Sequence, residues 1–225
     1  MNNSAVSIIF PVYNGSNIPN IINKHINYLQ KKYKNLEIIV IIDKATKTEI
    51  NNIKREIKDS IVVSNDKRLG KGNAIKQGFR IAKNDIIGFV DVDEHIQNSD
   101  VLKIIEKIEK NRVAIGVRKL EQYNSLIRKY LSKFFNLYVK ILLSLDIDDT
   151  QCGVKFFRKD KIQYILEKSK INGFAIDAEI LYLLKKNNEK IVQVPIKWKN
   201  GSKSTVSFLS IVEMAINVLR IKIRK

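Results

Sequence analysis

With 225 residues, 44% of them hydrophobic, the chain suits one good-sized α/β domain and is too apolar to be disordered. A single cysteine, Cys152, excludes an intramolecular disulfide and fits a reducing compartment, and no stretch reaches the roughly 20 uninterrupted apolar residues of a membrane span. The net charge of +18 suits nucleic acid, anionic lipid or a phosphorylated substrate, or reflects only a Lys-, Asn- and Ile-rich composition; no zinc-ligand cluster, basic tail or aromatic-basic motif supports nucleic acid. Met1–Ser4 runs straight into a strand-like segment without a signal-peptide pattern, so any membrane attachment is expected to be peripheral.

Apolar runs and helix-length segments then alternate. Ser7–Asn14 is a strand ending at a turn, followed by a helix over about Ile18–Lys32. Leu36–Asp43 is a second buried strand, finishing on an aspartate. A charged helix over Lys47–Lys58 and a strand at Ile61–Ser64 follow, then a helix near Asn73–Lys83 and a strand at Ile86–Val90. A helix near Val101–Glu109 and a strand at Val113–Val117 complete this half. Such alternation implies βαβ units and a mostly parallel, Rossmann-like sheet flanked by helices. Ligands of these folds lie at the carboxyl ends of the strands, so Asn14, Asp43 and Asp91 are expected on one rim.

The second half reads differently. Leu126–Leu145 is a long apolar helix with one polar stripe, Arg128, Ser132, Asn136, Lys140 and Ser144. That stripe either lines a substrate channel or is simply the solvated face. Asp149–Phe157 is a turn into a strand, and a helix around Ile176–Lys186 precedes a strand at Ile191–Trp198. The tail, Val206–Lys225, is an amphipathic helix closing on Arg220, Lys222, Arg224 and Lys225. Its basic end suits an anionic bilayer surface, or a core-packing helix with a solvated terminus.

The chemistry centres on Phe89-Val90-Asp91-Val92-Asp93-Glu94-His95. Two carboxylates at i and i+2, just past a buried strand, can share one hard divalent cation, which can in turn hold a diphosphate. Before the helix near Asn73, Gly70-Lys71-Gly72 offers backbone N–H groups and a cation to phosphate. It lacks the full Walker pattern.

Taken together, Pro11-Val12-Tyr13-Asn14, the strand ending at Asp43, Gly70-Lys71-Gly72 and Asp91-Val92-Asp93 resemble the family 2 glycosyltransferases of GT-A fold. Gly116-Val117-Arg118, Arg128-x3-Ser132, Asp149–Phe156, Phe174–Glu179 and Gly201-Ser202-Lys203 narrow the resemblance to the polyprenyl-phosphate branch, the dolichyl-phosphate mannosyl- and glucosyltransferases. It covers nearly the whole chain, one domain over 1–225 with a nucleotide-sugar half (1–118) and an acceptor half (119–225).

The resemblance implies a metal-dependent, inverting transfer of a hexose from UDP-glucose or GDP-mannose to a polyprenyl phosphate. Pro11, Tyr13, Asn14 and Asp43 would meet the nucleoside, with Lys71, Gly72, Asp91, Lys197 and Lys203 completing the donor site. Asp91, Asp93 and His95 would hold Mn2+ or Mg2+. His95 stands where mannosyl relatives have Gln, which favours Mn2+. Arg118, Arg128 and Ser132 would clamp the lipid phosphate, and Asp91, Asp93, Arg118 and Lys203 would carry catalysis. The chain departs from the family at Gly15, usually acidic, and at Asp43-Lys44-Ala45-Thr46. The Asp149–Gly153 wording tilts the donor towards UDP-glucose. The expected place is cytoplasmic, on the inner face of a membrane. Two competitors remain at this stage: a family 2 enzyme acting on a glycan hydroxyl with Asp177 or Glu179 as base, and a non-catalytic sugar-nucleotide or membrane-binding module.

Overall fold

A computed structural model of the protein describes residues 4–13, 18–92, 96–118, 126–197 and 208–224, and within the helices the side chains of 126–128 and 208 lie outside the description. The first half runs β1 (Val6–Tyr13), α1 (Ile18–Leu29), β2 (Leu36–Asp43), α2 (Lys47–Glu56), β3 (Ser60–Asn65), α3 (Lys71–Ile81), β4 (Ile86–Val90), α4 (Asn98–Ile108) and β5 (Val113–Arg118). The second runs α5 (Leu126–Leu143), β6 (Val154–Arg158), α6 (Lys159–Lys168), α7 (Ile176–Lys186), β7 (Ile191–Ile196) and α8 (Phe208–Ile223).

The strands form one sheet in the order β3-β2-β1-β4-β6-β5-β7. All pairs are parallel except those of β6, which runs antiparallel to both β4 and β5. The expected mostly parallel sheet is therefore present. The chain leaves β1 towards β2 and β3, then returns to β4 on the other side, so the reversal of direction falls between β1 and β4. Asp91 follows β4 at that switch point. In register, Tyr13 pairs with Asp43 and Asp43 with Asn65, which puts the ends of β1, β2 and β3 on one rim.

Alternating side chains of the strands feed two apolar layers. Ile8, Phe10, Val40 and Val154 pack under α1, α2 and α4, through residues such as Ile22, Ile53 and Ile104. Ile9, Ile41, Phe89 and Phe157 pack on the other face under α3, α5, α6, α7 and α8. Burial on both faces is why these strands read as continuous apolar runs.

Three departures from the sequence expectation have physical causes. Helix α3 begins at Lys71 rather than Asn73, because Gly70 takes φ +91°, a conformation open to glycine. Helix α5 ends at Leu143, where Ser144 turns left-handed at φ 54° and the Leu145 N–H donates back to the Lys140 carbonyl at 2.9 Å. Helix α6 was not expected at all. It follows β6 without a turn residue and buries little beyond Ile162 and Ile165 among charged neighbours.

Candidate active site

At the end of β2, Asp43 is almost wholly buried and its carboxylate holds the next loop. Oδ2 accepts from the N–H groups of Leu69 at 3.0 Å and Gly70 at 2.6 Å, and Oδ1 from Asn65 Nδ2 at 3.1 Å. The carboxylate expected to face a nucleoside base thus has three donors from its own chain. Above this loop, the backbone of residues 171–173 closes on the start of α3. A Cβ at Gly70 would meet the Asn172 carbonyl oxygen at 2.5 Å and one at Gly72 the Ile171 oxygen at 2.7 Å, while the Asn73 N–H donates to Asn172 O at 3.1 Å. Gly72, expected to cradle phosphate, is here the residue that lets two backbones touch. Tyr13 remains 45% exposed at the rim, with the Arg68 guanidinium 4.3 Å over its ring, and Pro11 is half-buried.

Between β4, β6, α3 and α7 lies an alternating row of four charges. Lys155, fully buried as the second residue of β6, donates to Asp177 Oδ1 at 2.5 Å and to the Cys152 carbonyl at 2.6 Å. Lys71 donates to Asp177 Oδ2 at 2.8 Å and to Asp91 Oδ2 at 2.7 Å. Lys71, expected on the donor phosphate, is thus set between two carboxylates. Burial alone would raise the Asp177 carboxyl, but Lys155 and Lys71 outweigh it and hold it below its ordinary value. Burial likewise disfavours charge on Lys71, yet Asp177 and Asp91 raise its pKa overall. At Asp91 burial prevails over Lys71, with the Asp177 charge adding to it, and the carboxyl is raised. The Asp91 side chain keeps 28% of its surface exposed. Its N–H donates to the Gly153 carbonyl at 2.8 Å, and a Cβ on Gly153 would come 2.1 Å from Asp91 Oδ2. Only glycine at 153 leaves room for this carboxylate.

Arg118, at the end of β5, grips Asp149 with two parallel bonds, Nε to Oδ2 at 2.7 Å and Nη2 to Oδ1 at 3.0 Å, and its own N–H adds a third at 3.1 Å. Burial would raise the Asp149 carboxyl, but the guanidinium outweighs it and holds it low. The residue expected to clamp a lipid phosphate is therefore already bound to a carboxylate. The loop that carries Asp149 is tied to α5: Asn136 Oδ1 accepts from Thr150 N at 3.0 Å and Oγ1 at 2.8 Å, its Nδ2 donates to the Asp148 carbonyl, and Lys140 pairs with Asp148 at 3.6 Å. The polar stripe of α5 thus turns, at Asn136 and Lys140, towards the chain's own loop. Ser132 is half-buried on it. Glu179 accepts from Ser169 Oγ and the N–H groups of Lys170 and Ile171, pinning the segment that covers Gly72. Asp177 and Glu179, the alternative bases, are both buried with their oxygens taken up by donors of the chain. Cys152 is buried, and burial followed by the Asp149 charge pushes its thiol up to about 12, far from a nucleophile. Lys197 keeps an exposed side chain while its N–H donates to Asp100 Oδ2 at 2.7 Å. Asn14, Gly15, Asp93, His95 and Lys203, and the side chain of Arg128, lie outside the described residues.

Residues 7–176 match the model of glycosyl transferase family 2. The chain belongs to that family. Along its whole length this glycosyltransferase is 32% identical to a dolichyl-phosphate beta-glucosyltransferase of Dictyostelium discoideum, covering 76% of that protein. It is 28% identical, over 97% of the chain and 75% of the relative, to the human protein of the same name. The fold is that of glucosyl-3-phosphoglycerate synthase from Mycobacterium tuberculosis, solved with Mn2+, UDP and phosphoglyceric acid, at TM-score 0.74 and 14% identity over 97% of this chain and 77% of that one. Mannosyl-3-phosphoglycerate synthase from Rubrobacter xylanophilus superposes at TM-score 0.73 with 17% identity, over 97% and 72% of the two chains.

Two features of the glycosyltransferase bear on what it binds. Asp91 fits a hard divalent cation: a carboxylate at the switch point, its Oδ2 held inward by Lys71 and part of its side chain open. Its expected fellow ligands, Asp93 and His95, lie outside the described residues. The second feature is the pair α5 and α8, which pack on each other through inward Val139, Leu143, Val218 and Ile221, with Tyr138 Oη donating to the Ala215 carbonyl at 3.0 Å. Among the described residues, every large hydrophobic side chain left exposed, apart from Tyr13 and Leu69, lies on these two helices. Phe134 is 75% exposed, Ile141 70% and Leu209 78%. Exposed Lys133, Arg220, Lys222 and Arg224 flank them. No described helix is long and apolar enough to cross a membrane.

Proposed function

We propose that this glycosyltransferase moves glucose from UDP-glucose to a polyprenyl (dolichyl) phosphate while resting on the cytoplasmic surface of an anionic membrane. The observation that carries the lipid acceptor is the apolar surface of α5 and α8, bordered by cations, on the same chain as the acidic Asp91 site. Surfaces of this kind are costly in water and suit the boundary between headgroups and acyl chains. Glucose as the sugar rests on the names of the relatives over their whole match.

A phosphate monoester oxygen is ionised at neutral pH and needs no general base. The state of Asp177 agrees with this: a carboxylate gripped by two lysines is a poor proton acceptor, which speaks against a hydroxyl acceptor. One displacement at the anomeric carbon inverts its configuration. The protein's part is alignment and the placing of positive charge. Asp91, with Asp93 and His95, is the proposed cradle for Mn2+ or Mg2+, which when bound supplies charge to the departing diphosphate. Pro11, Tyr13, Asn14 and Asp43 are proposed to border the nucleoside, and Gly72, Lys197 and Lys203 the diphosphate, with Lys71 engaged by Asp91 and Asp177 instead. Arg118, Arg128 and Ser132 are proposed for the acceptor phosphate, with Asp149 fixing the orientation of Arg118.

The test is a transfer assay offering UDP-glucose and GDP-mannose, each with Mn2+ or Mg2+, to short polyprenyl phosphate in vesicles. Glucosyl-lipid that disappears with Asp93→Ala is the expected result. Transfer only to free sugar hydroxyls, or nucleotide binding with no product, would overturn the proposal.

A further inference from the structure

The four-charge row is an unusual investment. Lys155 is fully buried, Asp177 nearly so, and Lys71 keeps only 12% of its side chain exposed. Buried ion pairs stabilise folds poorly compared with apolar packing of the same shape, so one that is kept invites a role beyond stability. The row runs Lys155, Asp177, Lys71, Asp91, alternating in sign, and only its last member reaches solvent to a substantial extent. Everything in it fixes Asp91. Lys71 holds Oδ2 from one side, Gly153 leaves the room that this oxygen occupies, and the Gly153 carbonyl accepts from the Asp91 N–H. Lys71 is in turn held by Asp177, and Asp177 by Lys155, whose ammonium is anchored on the Cys152 carbonyl.

We propose that Lys71, Asp177 and Lys155 are positioning residues for Asp91: they present its outer carboxylate oxygen to the divalent cation. The inference rests on the metal reading above and assigns Asp177 a role that differs from a base. Metal-binding carboxylates are commonly steadied by a hydrogen bond to their other oxygen, and loss of such a partner weakens metal binding by about 10–100-fold. Here the partner is a lysine that cannot turn away without taking from the buried Asp177 Oδ2 its donor.

The experiment titrates Mn2+ into the full-length protein, following the paramagnetic resonance signal of the free ion, and separately measures UDP binding without metal. Lys71→Met is expected to weaken Mn2+ about 10–100-fold while metal-free UDP binding is retained, and Lys71→Arg to recover part of the loss. The double variant Lys155→Met/Asp177→Asn removes the inner pair without changing net charge and leaves Lys71 on Asp91; it is expected to weaken Mn2+ in the same direction. It serves also should Lys71→Met fail to fold. Folded variants that bind Mn2+ as the wild type does overturn the inference alone. A loss confined to UDP binding overturns it too, making phosphate the true partner of Lys71. Loss of the acidic limb of the pH–rate profile in the double variant, with Mn2+ affinity intact, would make Asp177 a base instead. A wild-type chain that holds no Mn2+ overturns the metal reading and this inference with it.

Discussion

The site around Asp91 and the surface of α5 and α8 break the same rule in opposite directions. One puts lysines and aspartates inside, the other puts phenylalanine, leucine and isoleucine outside. Both arrangements cost stability. The layer formed by α1, α2 and α4 breaks the rule, among the described residues, at Asp100, wholly buried and held by Lys103 and the Lys197 N–H, and at His25, a buried imidazole against Phe10 whose Nδ1 has no partner. Where a fold gathers its largest departures from inside-apolar and outside-polar in two places, those two places are where to look for work: a row of buried charges in one, an exposed apolar face in the other.

That contrast can be broken by experiment. Asp91→Asn should have the largest effect, lowering turnover by at least ~100-fold with the fold retained, as judged by circular dichroism. Wild-type turnover in this variant would remove the charge site from the chemistry. Lys155→Met, which leaves the buried Asp177 and Asp91 with one lysine between them, should cost about 3–5 kcal/mol of unfolding free energy in a urea titration. The double variant at Lys155 and Asp177 should lose much less, because a matched pair leaves together.

His25 sharpens the comparison from the ordinary layer. Burial lowers its pKa from 6.5 to about 4, so the folded protein disfavours the proton that the unfolded chain accepts. Stability is fully present above pH 6.5 and falls as pH drops towards 4, by about 3 kcal/mol in all. His25→Leu should flatten that slope. An unchanged slope would assign it to other groups. On the outer surface, Phe134→Ser with Ile141→Ser should weaken sedimentation with anionic vesicles by about tenfold or more, leaving UDP binding untouched. Equal vesicle binding would make the α5–α8 face a site for another partner. The smallest effect expected is local. Thr46 and Glu49 form a reciprocal cap on α2, and Thr46→Ala should cost about 1 kcal/mol without touching turnover or vesicles.

The strands were readable because a sheet covered on both faces needs unbroken apolar runs, and Leu36–Asp43 and Ile86–Val90 lie where those runs lie. Asp91 was readable because such a run stops on a carboxylate. What pairs with it was not, since Lys71 and Asp177 come from distant elements and pattern carries no long-range partner. One signal was on view and went unused: Lys155 interrupts Val154-Lys155-Phe156-Phe157, and a lysine inside a buried strand must have a counter-charge somewhere. The inward turns of Asp43 and Arg118 were likewise hidden. A sequence shows that a side chain is charged but not which neighbour claims it first. Helix α6 escaped because its fully buried apolar residues are Ile162 and Ile165 alone, too short a period to stand out.

The antiparallel β6 between β4 and β5 also sets a timetable for the growing chain. Lys71 and Asp177 are 106 residues apart in sequence, and Asp91 takes its backbone partner from Gly153. During synthesis the strands up to β5 emerge with β4 unpaired on the side that β6 will occupy. Closing such distant contacts is slow, and an open strand edge invites association with other chains. A nascent chain stalled before Gly153 should therefore be the aggregation-prone, chaperone-dependent form of this enzyme. The Asp91 carboxylate can be locked in place only after most of the polypeptide has left the ribosome.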